Sequence, residues 1–553
     1  MENWLIDAFL RTALSASFFV CCAALAVREV HMFQLNSYKP AAHMKWLRRT
    51  FSDCALRRAP IIPILAAPLF DGWQRIPLDH IFFSAICALL PAALFTVSAY
   101  LNLPKPAKKP LVYTNRVKRL FVTYITLTLA ALALSFYLGA AGQCAALAAF
   151  ALAAPFAMLL SNAINSPVEK NINNSYIKDA LRIMEDSPRL VVIGVTGSYG
   201  KTSVKHFLAK LLSRKYNVLM TPGNYNTTLG VVKTIREDLK PFHEIFVCEM
   251  GARSRGDIKE ICGIVKPKYG VITSIGPQHL ETFGSMENVA LTKFELADAL
   301  PEDGAAFLNF GDEIIREHVE KTGIKPRGAA PRPAGKLSFP GLPRKRLISY
   351  GVGDYEAEDV TVSRGGASFS VKLASGETAD FSSKLIGAHN VTNILGAIAV
   401  ADFLGVSADD MKMAVRRLEP VPHRLQLIDR GGLTIIDDAY NSNLRGARGA
   451  LDALALFDGY KILMTPGFVE MGASEDEYHY KFGAYAASLC DYVILMGARR
   501  TKAIREGLSA NGCADDKIFT ASSLTEAFER VSSLRTEGRR KIVLIENDLP
   551  DNY

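Results

Sequence analysis

The stretch RLVVIGVTGSYGKTSVKHFLAKLL, residues 189–212, is the feature that most restricts the fold of this 553-residue chain. An apolar, β-branched run is followed by a turn containing Gly194, Gly197 and Gly200, and then by an amphipathic helical pattern. Strand, glycine-rich loop and helix in this order form the phosphate-binding unit of an α/β domain. The stretch therefore predicts an α/β domain built around a nucleotide site.

The residues of this loop have defined roles in phosphate binding. Backbone N–H groups surround the phosphates, a lysine reaches the β- and γ-phosphate oxygens, and the following hydroxyl residue can ligate Mg²⁺. These roles are assigned to Lys201 and Thr202, and the other predicted loop contacts to ATP are Gly197, Ser198, Gly200 and Ser203. Gly194 and Gly200 are one residue further apart than the strict pattern requires. Because kinases, transport ATPases and ligases all use such loops, the loop alone does not name a reaction.

The apolar region before this loop carries the net charge of the chain. Residues 1–165 hold 15 Lys and Arg against 6 Asp and Glu, a surplus that equals the formal net charge of +9 for the whole chain. Basic loops beside membrane spans have this pattern, whereas a nucleic-acid groove needs its basic face on a soluble domain. We therefore expect contact with a lipid bilayer and none with nucleic acid.

Several segments of this region approach the ~20 apolar residues that cross a bilayer. The four predicted spans are Trp4–Val27, Ile81–Leu103, Leu120–Leu138 and Cys144–Leu160. A shorter segment with three prolines, Ala59–Phe70, is expected to be re-entrant or interfacial. With it, the basic stretches Arg28–Arg58 and Pro104–Arg119 both lie in the cytoplasm, as the positive-inside rule prefers. The prediction is a transmembrane helical region over residues 1–165 of a multi-pass membrane protein, with a linker at 166–189; a very apolar soluble helical domain is the alternative.

Six further motifs follow the phosphate loop. They are TPGNYNTTLGV (Thr221–Val231), CEMGARSRGDI (Cys248–Ile258), HLETFGSMENVALTKFE (His279–Glu295), LNFGDE (Leu308–Glu313), GAHNVTN (Gly387–Asn393) and IDDAYNSN (Ile436–Asn443). In this order they make residues 185–553 similar to the Mur ligase family, and most similar to the type that adds D-alanyl-D-alanine to the UDP-N-acetylmuramoyl-tripeptide. The resemblance implies a P-loop central ATPase domain with a mostly parallel sheet over residues 190–420, and a Rossmann-like α/β domain over residues 421–553. Apolar runs near Lys461–Met464, Tyr492–Met496 and Lys541–Ile545 alternate with helical patterns, as a second α/β domain requires.

The same resemblance implies ATP as cofactor together with two Mg²⁺ ions. Besides Thr202, the family's metal ligands correspond to Glu249 at the end of an apolar strand, to His279 after another strand, and to Lys293. The family's lysine at this position is carbamylated, which implies N6-carboxylysine at Lys293. The residues by themselves are also compatible with a solvated glutamate, a structural histidine and an unmodified surface lysine.

The remaining site residues are assigned by the same resemblance. As further contacts to the nucleotide it implies Asn309, Asp312, His389, Asn390, Asn393, Arg424 and Asp438, of which His389 is equally compatible with a helix cap. Its catalytic set is Lys201, Lys293, His279 and Asp438. As contacts to the substrate it implies Asn224, Asn226, Tyr440, Asn441 and Asn443. Two α/β domains with a site between them imply closure over ATP.

In this family ATP phosphorylates an acceptor carboxylate, and the amine of an amino acid or dipeptide attacks the acyl phosphate. We therefore expect an ATP-dependent amide-bond ligase of peptidoglycan precursor synthesis, which joins a muramyl-peptide-type acceptor to an amino acid or to D-Ala-D-Ala.

Two departures from the family leave the substrate open. The apolar region stands where the family has a soluble UDP-sugar domain, and IENDLPDNY (residues 545–553) replaces a turn rich in Lys, Gly, Ser and Arg. A lipid-linked or other cell-envelope acceptor, delivered by the wall-precursor machinery, is therefore an alternative. A P-loop ATPase that energises transport is a further one.

Overall fold

The structure is a computed structural model that describes residues 2–51, 92–103, 107, 109–138, 140–321, 346–440 and 442–548. The chain divides into two compact units, Met1–Asn174 and Ser175–Leu549. The first is helical. Its helices are α1 (Glu2–Leu35), α2 (Pro40–Phe51), α3 (Ala92–Leu101), α4 (Asn115–Ser135), α5 (Ala140–Leu152) and α6 (Ala154–Glu185), and α6 extends beyond Asn174.

Two of these helices are long and apolar enough to cross a membrane, judged by length and composition alone. They are the part of α1 from Arg11 to Leu35 and the whole of α4. A third span exists if α5 and α6, which are bent by 67° at their junction, count as one. The predicted segment Ala59–Phe70 and the first 11 residues of Ile81–Leu103, residues 81–91, lie outside the described residues.

The predicted span Cys144–Leu160 covers most of α5 and the start of α6, and the helix is interrupted between them at Ala153, so its crossing as one span stays a prediction. Pro155 is the second residue of α6 and has no N–H to donate to the carbonyl of Ala151, so a helix continuous through this point would lose that hydrogen bond. In the first turn of α6 the missing proline N–H breaks no helical hydrogen bond. The predicted linker at 166–189 lies within α6 as far as Glu185.

The first unit has an apolar core, but it also exposes large apolar side chains. Phe18, Phe33 and Leu120 are buried. The outer face of α4, by contrast, exposes 65% of Val122 and 67% of Leu134. Apolar surface of this extent is typical of a face that contacts lipid or another protein.

The central domain of the second unit is built on a parallel sheet. In the described residues this sheet has six strands, in the order β2-β3-β1-β4-β5-β6. Every strand pair in it is parallel. The strands are β1 (Val191–Thr196), β2 (Val218–Met220), β3 (Ile245–Glu249), β4 (Tyr269–Ile272), β5 (Ala305–Asn309) and β6 (Arg346–Tyr350).

Helices cover both faces of this sheet, so its strands are apolar throughout rather than alternating. The helices are α7 (Lys201–Leu212), α8 (Thr228–Glu237), α9 (Asp257–Val265), α10 (Leu280–Phe283), α11 (Met286–Ala299), α12 (Glu313–Lys321), α13 (Ala388–Phe403) and α14 (Ala408–Arg416). Ile193 of β1 packs in a core with α7 and α13. Its neighbour Val192 packs on the other side with α9 and α11. A small antiparallel sheet of β7 (Ala357–Ser363), β8 (Gly366–Lys372) and β9 (Thr378–Ser383) completes the domain.

The C-terminal domain is a second α/β layer structure. Its strands, in the order β10-β11-β15-β12-β13-β14, pair in parallel except for β10 with β11. They are β10 (Gln426–Arg430), β11 (Leu433–Asp438), β12 (Tyr460–Thr465), β13 (Tyr492–Met496), β14 (Ile518–Ala521) and β15 (Lys541–Glu546). The helices are α15 (Leu444–Ala455), α16 (Glu475–Ala486), α17 (Lys502–Ala510) and α18 (Leu524–Ser533). The predicted α/β class with parallel sheets is confirmed.

Candidate nucleotide and metal site

The phosphate loop connects β1 to α7, and its glycines are required by close contacts. Gly200 has φ of 79° and precedes a helix that has no side-chain cap, so the first N–H groups of α7 are left for an anion. A Cβ at Gly200 would lie 2.5 Å from Oδ1 of Asn393, and one at Gly197 would lie 2.1 Å from Oγ1 of Thr273. A side chain at either position would therefore displace the loop.

The Lys201 ammonium group lies over this loop. Its Nζ donates hydrogen bonds to the carbonyl oxygens of Gly197, at 2.7 Å, and Ser198, at 3.0 Å. Burial lowers the pKa of Lys201 to about 8, although the nearby Glu249 carboxylate opposes this shift. The lysine is thus held by the same loop that it would serve in phosphate binding.

Ser198 connects the phosphate loop to the segment that follows β4, and Asn309 connects the end of β5 to the same segment. The Ser198 hydroxyl donates to the carbonyl of Gly276 and accepts from its N–H, both at 3.0 Å. The Asn309 amide donates to the carbonyl of Thr273 at 2.8 Å. Both side chains are buried and hydrogen-bonded to backbone groups, so they hold the segment after β4 in place, and their contact with ATP stays a prediction.

Glu249, at the end of β3, contacts three polar side chains at the predicted metal site. Its Oε1 accepts hydrogen bonds from the Thr202 hydroxyl, at 3.1 Å, and from the Asn226 amide, at 3.0 Å. Its Oε2 forms a buried ion pair with Nζ of Lys205 at 3.1 Å. Burial alone would raise the pKa of Glu249, but Lys205 and Lys201 outweigh it and the pKa is lowered. The carboxylate therefore stays charged.

The hydroxyl of Thr202 and the carboxylate of Glu249 suit Mg²⁺. This ion usually takes one or two protein oxygens and completes its shell with phosphate oxygens and water. In the part of the chain that the structure describes, no group of three or more His, Cys, Asp or Glu could hold a metal by itself. The donors thus fit an ion bound together with a nucleotide.

The other two predicted ligands, His279 and Lys293, form no hydrogen bond with Thr202 or Glu249. Nδ1 of His279 is engaged by Glu470 of the C-terminal domain, and burial lowers the pKa of this histidine. Lys293 is buried in α11, with Nζ 5.9 Å from the ring centroid of Phe283. Among the described residues no carboxylate lies within ion-pair distance of its ammonium group. Burial, and then the charge of Lys201, lower the pKa of Lys293 to about 7.

The C-terminal domain contributes to the same edge of the central sheet. Asp312, buried in the central domain, accepts a hydrogen bond from Nη1 of Arg445 at 2.9 Å. The Arg424 guanidinium lies 4.5 Å from the ring centroid of Tyr440. Asp438 accepts from the N–H of Leu425 at 3.2 Å, and burial raises the pKa of Asp438 to about 6 although Arg424 opposes this shift.

Several predicted residues have structural partners. Asn390 donates to the carbonyl of Ile386 at 2.8 Å, and Asn443 caps α15 by accepting from the N–H of Gly446 at 2.9 Å. The cap position of α13 is Gly387, so His389 does not cap that helix. The remaining predicted residues are Asn224, which hydrogen-bonds Tyr440, Ser203, which is buried in α7, and Asn441, which lies outside the described residues.

Sequence reasoning missed three charged residues of this site: Lys205, Arg445 and Glu470. Lys205 could have been found, since it lies four residues after Lys201 and therefore on the same face of α7. Glu470 is separated from His279 by 191 residues, and no local pattern connects them.

Comparison with known families gives two matches that together cover the central and C-terminal domains. The Mur ligase middle domain matches residues 195–401, and the Mur ligase, glutamate ligase domain matches residues 423–545.

Two curated relatives are both UDP-N-acetylmuramoyl-tripeptide–D-alanyl-D-alanine ligases. The protein of Bacillus subtilis is 32% identical over 299 residues, which are 53% of this chain and 59% of the relative. The protein of Escherichia coli is 30% identical over 360 residues, 64% of this chain and 75% of the relative. The chain thus spans 59% of the length of the first relative.

Solved structures agree with these relatives. A crystal structure of MurF from Acinetobacter baumannii superposes with a TM-score of 0.59 at 26% identity, over 68% of this chain and 77% of the other. MurF ligase from Thermotoga maritima in complex with ADP superposes with a TM-score of 0.57 at 26% identity, over 68% of this chain and 80% of the other.

Proposed function

The chain belongs to the Mur ligase family, and on that premise we propose that it is an ATP-dependent amide-bond ligase that adds D-alanyl-D-alanine to UDP-N-acetylmuramoyl-tripeptide. The observation that carries the proposal is the grouping of Lys201, Thr202 and Glu249 around an uncapped helix N-terminus. The names of the relatives supply the reaction.

The reaction has two steps. A carboxylate oxygen of the acceptor attacks the γ-phosphorus of ATP, which releases ADP and leaves an acyl phosphate. The amine of the dipeptide then attacks the acyl carbon, and the amide forms as phosphate and a proton leave. Such phosphoryl transfer depends on positioning and charge neutralisation more than on covalent chemistry by the protein.

The residues of the site match these requirements. The N–H groups of the first turn of α7 and the Lys201 ammonium bind the phosphates, while Ser198 keeps the loop in its conformation. Thr202 and Glu249 would hold Mg²⁺, which supplies positive charge at the phosphate oxygens. Lys205 keeps the Glu249 carboxylate ionised. Arg424 and Asp438 approach the nucleotide from the C-terminal domain.

Lys293 is proposed to be carbamylated. Its buried amine has a pKa lowered to about 7, so a large fraction is neutral at physiological pH. A neutral amine adds to CO₂ and loses a proton, which gives a carbamate anion. The new negative charge would be placed near the positive charge of Lys201 and would offer an oxygen ligand for a second Mg²⁺. Mass spectrometry of the intact protein under CO₂ and under CO₂-free buffer tests the modification.

The N-terminal unit is proposed to anchor the chain in the bacterial cytoplasmic membrane, with the second unit in the cytoplasm. Two helices are apolar and long enough to span, and α4 exposes apolar side chains. We expect the full chain to stay in the membrane pellet after an alkaline carbonate wash and to need detergent for release. Release by carbonate alone would contradict the anchor.

A membrane anchor favours a second candidate acceptor, a lipid-linked muramyl peptide. The deciding experiment uses the full chain in lipid nanodiscs with ATP, Mg²⁺ and D-Ala-D-Ala, and offers the same tripeptide on a UDP-linked and on a lipid-linked carrier. One phosphate is expected per amide bond formed. Phosphate release that does not depend on acceptor and dipeptide would overturn the ligase proposal, while the preferred carrier decides between the two acceptors.

A further inference from the structure

Glu470 connects the C-terminal domain to His279, one of the predicted metal ligands of the central domain. One of its carboxylate oxygens, Oε2, is bonded to Nδ1 of His279. The other, Oε1, lies 3.8 Å from Nη2 of Arg253. Arg253 lies four residues after Glu249 at the end of β3, and His279 lies in the segment that follows β4, so Glu470 of the C-terminal domain contacts two segments of the central domain.

The backbone at both ends of this contact is unusual. His279 has φ of 55° and Glu470 has φ of 64°, in the left-handed region that residues other than glycine seldom adopt, although asparagine, aspartate and histidine adopt it more often than the others. Such conformations persist where the surrounding structure imposes them, and they are concentrated at functional sites. Here two of them place the imidazole and the carboxylate in contact.

The loop that carries Glu470 is held from both sides. Phe468 and Met471 are buried in the C-terminal core. The N–H of Phe468 donates to Nε2 of His479 at 2.7 Å, and Asn547 donates to the carbonyl of Gly467 at 2.6 Å. The loop is therefore a rigid support, and the position of Glu470 is set by the C-terminal domain as a whole.

We propose that Glu470 is a positioning residue for His279, an inference that rests on the proposed function. The carboxylate accepts the Nδ1 proton, which fixes the tautomer of the imidazole and leaves Nε2 as the ring nitrogen for a metal ion. A carboxylate in this relation to a ligating histidine orients the ring and raises its basicity. Because Glu470 belongs to the other domain, docking of the C-terminal domain completes the support of the metal ligand. By linkage, metal binding then favours docking.

The test measures metal binding apart from turnover. Mn²⁺ binding to the full chain with a non-hydrolysable ATP analogue is followed by electron paramagnetic resonance. We expect Glu470→Ala to weaken Mn²⁺ binding by about 10- to 100-fold, the usual effect of losing such a partner. Glu470→Gln, which keeps an acceptor oxygen, should lie between Ala and wild type. In turnover assays the Mg²⁺ concentration for half-maximal rate should rise, and kcat at saturating Mg²⁺ should change less.

Two control variants separate orientation from docking and from charge. Arg445→Ala removes the ion pair with Asp312, another contact between the domains, and leaves His279 untouched. Glu477→Ala removes an exposed carboxylate of α16. Glu477→Ala should bind Mn²⁺ like wild type, whereas Arg445→Ala, which loosens docking but keeps the carboxylate partner of Nδ1, should weaken Mn²⁺ binding much less than Glu470→Ala. Wild-type binding by Glu470→Ala, or equal weakening by Glu470→Ala and Arg445→Ala, would overturn the inference. If wild type itself binds no Mn²⁺ with the ATP analogue, the proposed function is what fails.

Discussion

The central and C-terminal domains contain the same strand–loop–helix unit, but they use it for different purposes. In the central domain the unit is β1 and α7, and in the C-terminal domain it is β11 and α15. In each sheet the neighbouring parallel strand ends in a glutamate beside the unit, since Glu249 pairs in register with Val195 and Glu546 with Asp438. The backbone arrangement is thus shared, and the difference lies in the side chains.

The two units differ in the capping of the helix N-terminus and in the partners and pKa of the strand-end carboxylate. Helix α7 has no side-chain cap, whereas α15 is capped by Asn443. Glu249 has a lysine partner and a lowered pKa. Glu546 is bonded to the hydroxyls of Ser442 and Thr465, and burial followed by the charge of Asp438 raises its pKa well above the usual range. One domain therefore presents an edge for anions, and the other an edge where carboxyl groups retain protons.

The largest expected effect comes from removing the ammonium group of Lys201 at the phosphate loop of the central domain. We expect Lys201→Ala to lower kcat for amide formation by at least about 10²–10³-fold, the loss typical of one preorganised electrostatic group. Lys210→Ala, an exposed lysine on the same helix, is the matched control. Phosphate release and product mass are measured for both, and circular dichroism checks the fold. Full activity of Lys201→Ala would remove the basis for assigning this edge to ATP.

Breaking the Lys205–Glu249 pair should make the central edge resemble the C-terminal one. Lys205→Met leaves a buried carboxylate without its cation, which costs about 3–5 kcal/mol of stability. Replacing both partners, in Lys205→Met with Glu249→Leu, should recover most of this loss, because no uncompensated charge remains. Calorimetric unfolding of the two variants is compared with that of Lys210→Met. Equal stability of the single and double variants would show that the pair is not responsible.

The sequence was sufficient to predict those features of the two domains that are formed by residues close together in the chain. The phosphate loop, the end of β3 at Glu249 and the parallel strands follow from apolar runs and glycines that are contiguous in the chain. The interruption at Ala153 was missed because hydropathy gave more weight to a continuous apolar run than to Pro155.

Contacts between distant segments were out of reach. The pairing of His279 with Glu470 depends on how two domains dock, and the caps differ because of single side chains such as Asn443. From sequence, Asn443 was assigned to the substrate by its place in a motif, and its use as a helix cap depends on where α15 begins.

The raised pKa of Asp438 gives a pH dependence with a definite sign. Burial raises this pKa from 3.8 to about 6, so between these values the folded state binds more protons than the unfolded state. The contribution of Asp438 to stability is therefore fully present below pH 3.8 and is lost as the pH rises through 6. We expect Asp438→Asn to stabilise the protein by about 2 kcal/mol at pH 8 relative to its effect at pH 4. Calorimetry at both pH values measures this, and a gain of equal size at pH 4 would contradict it.

The smallest expected effect distinguishes a cap from a substrate contact at Asn443. Loss of the hydrogen bond to Gly446 in Asn443→Ala should cost about 1 kcal/mol, while Asn443→Gly should cost only a few tenths. Asn443→Asp keeps an oxygen acceptor and should be close to wild type in stability. If the side chain serves only as the cap of α15, the KM for D-Ala-D-Ala stays unchanged in all three variants. A KM that rises in Asn443→Asp, which still caps the helix, would instead assign Asn443 to the substrate and would give the C-terminal edge a binding role of its own.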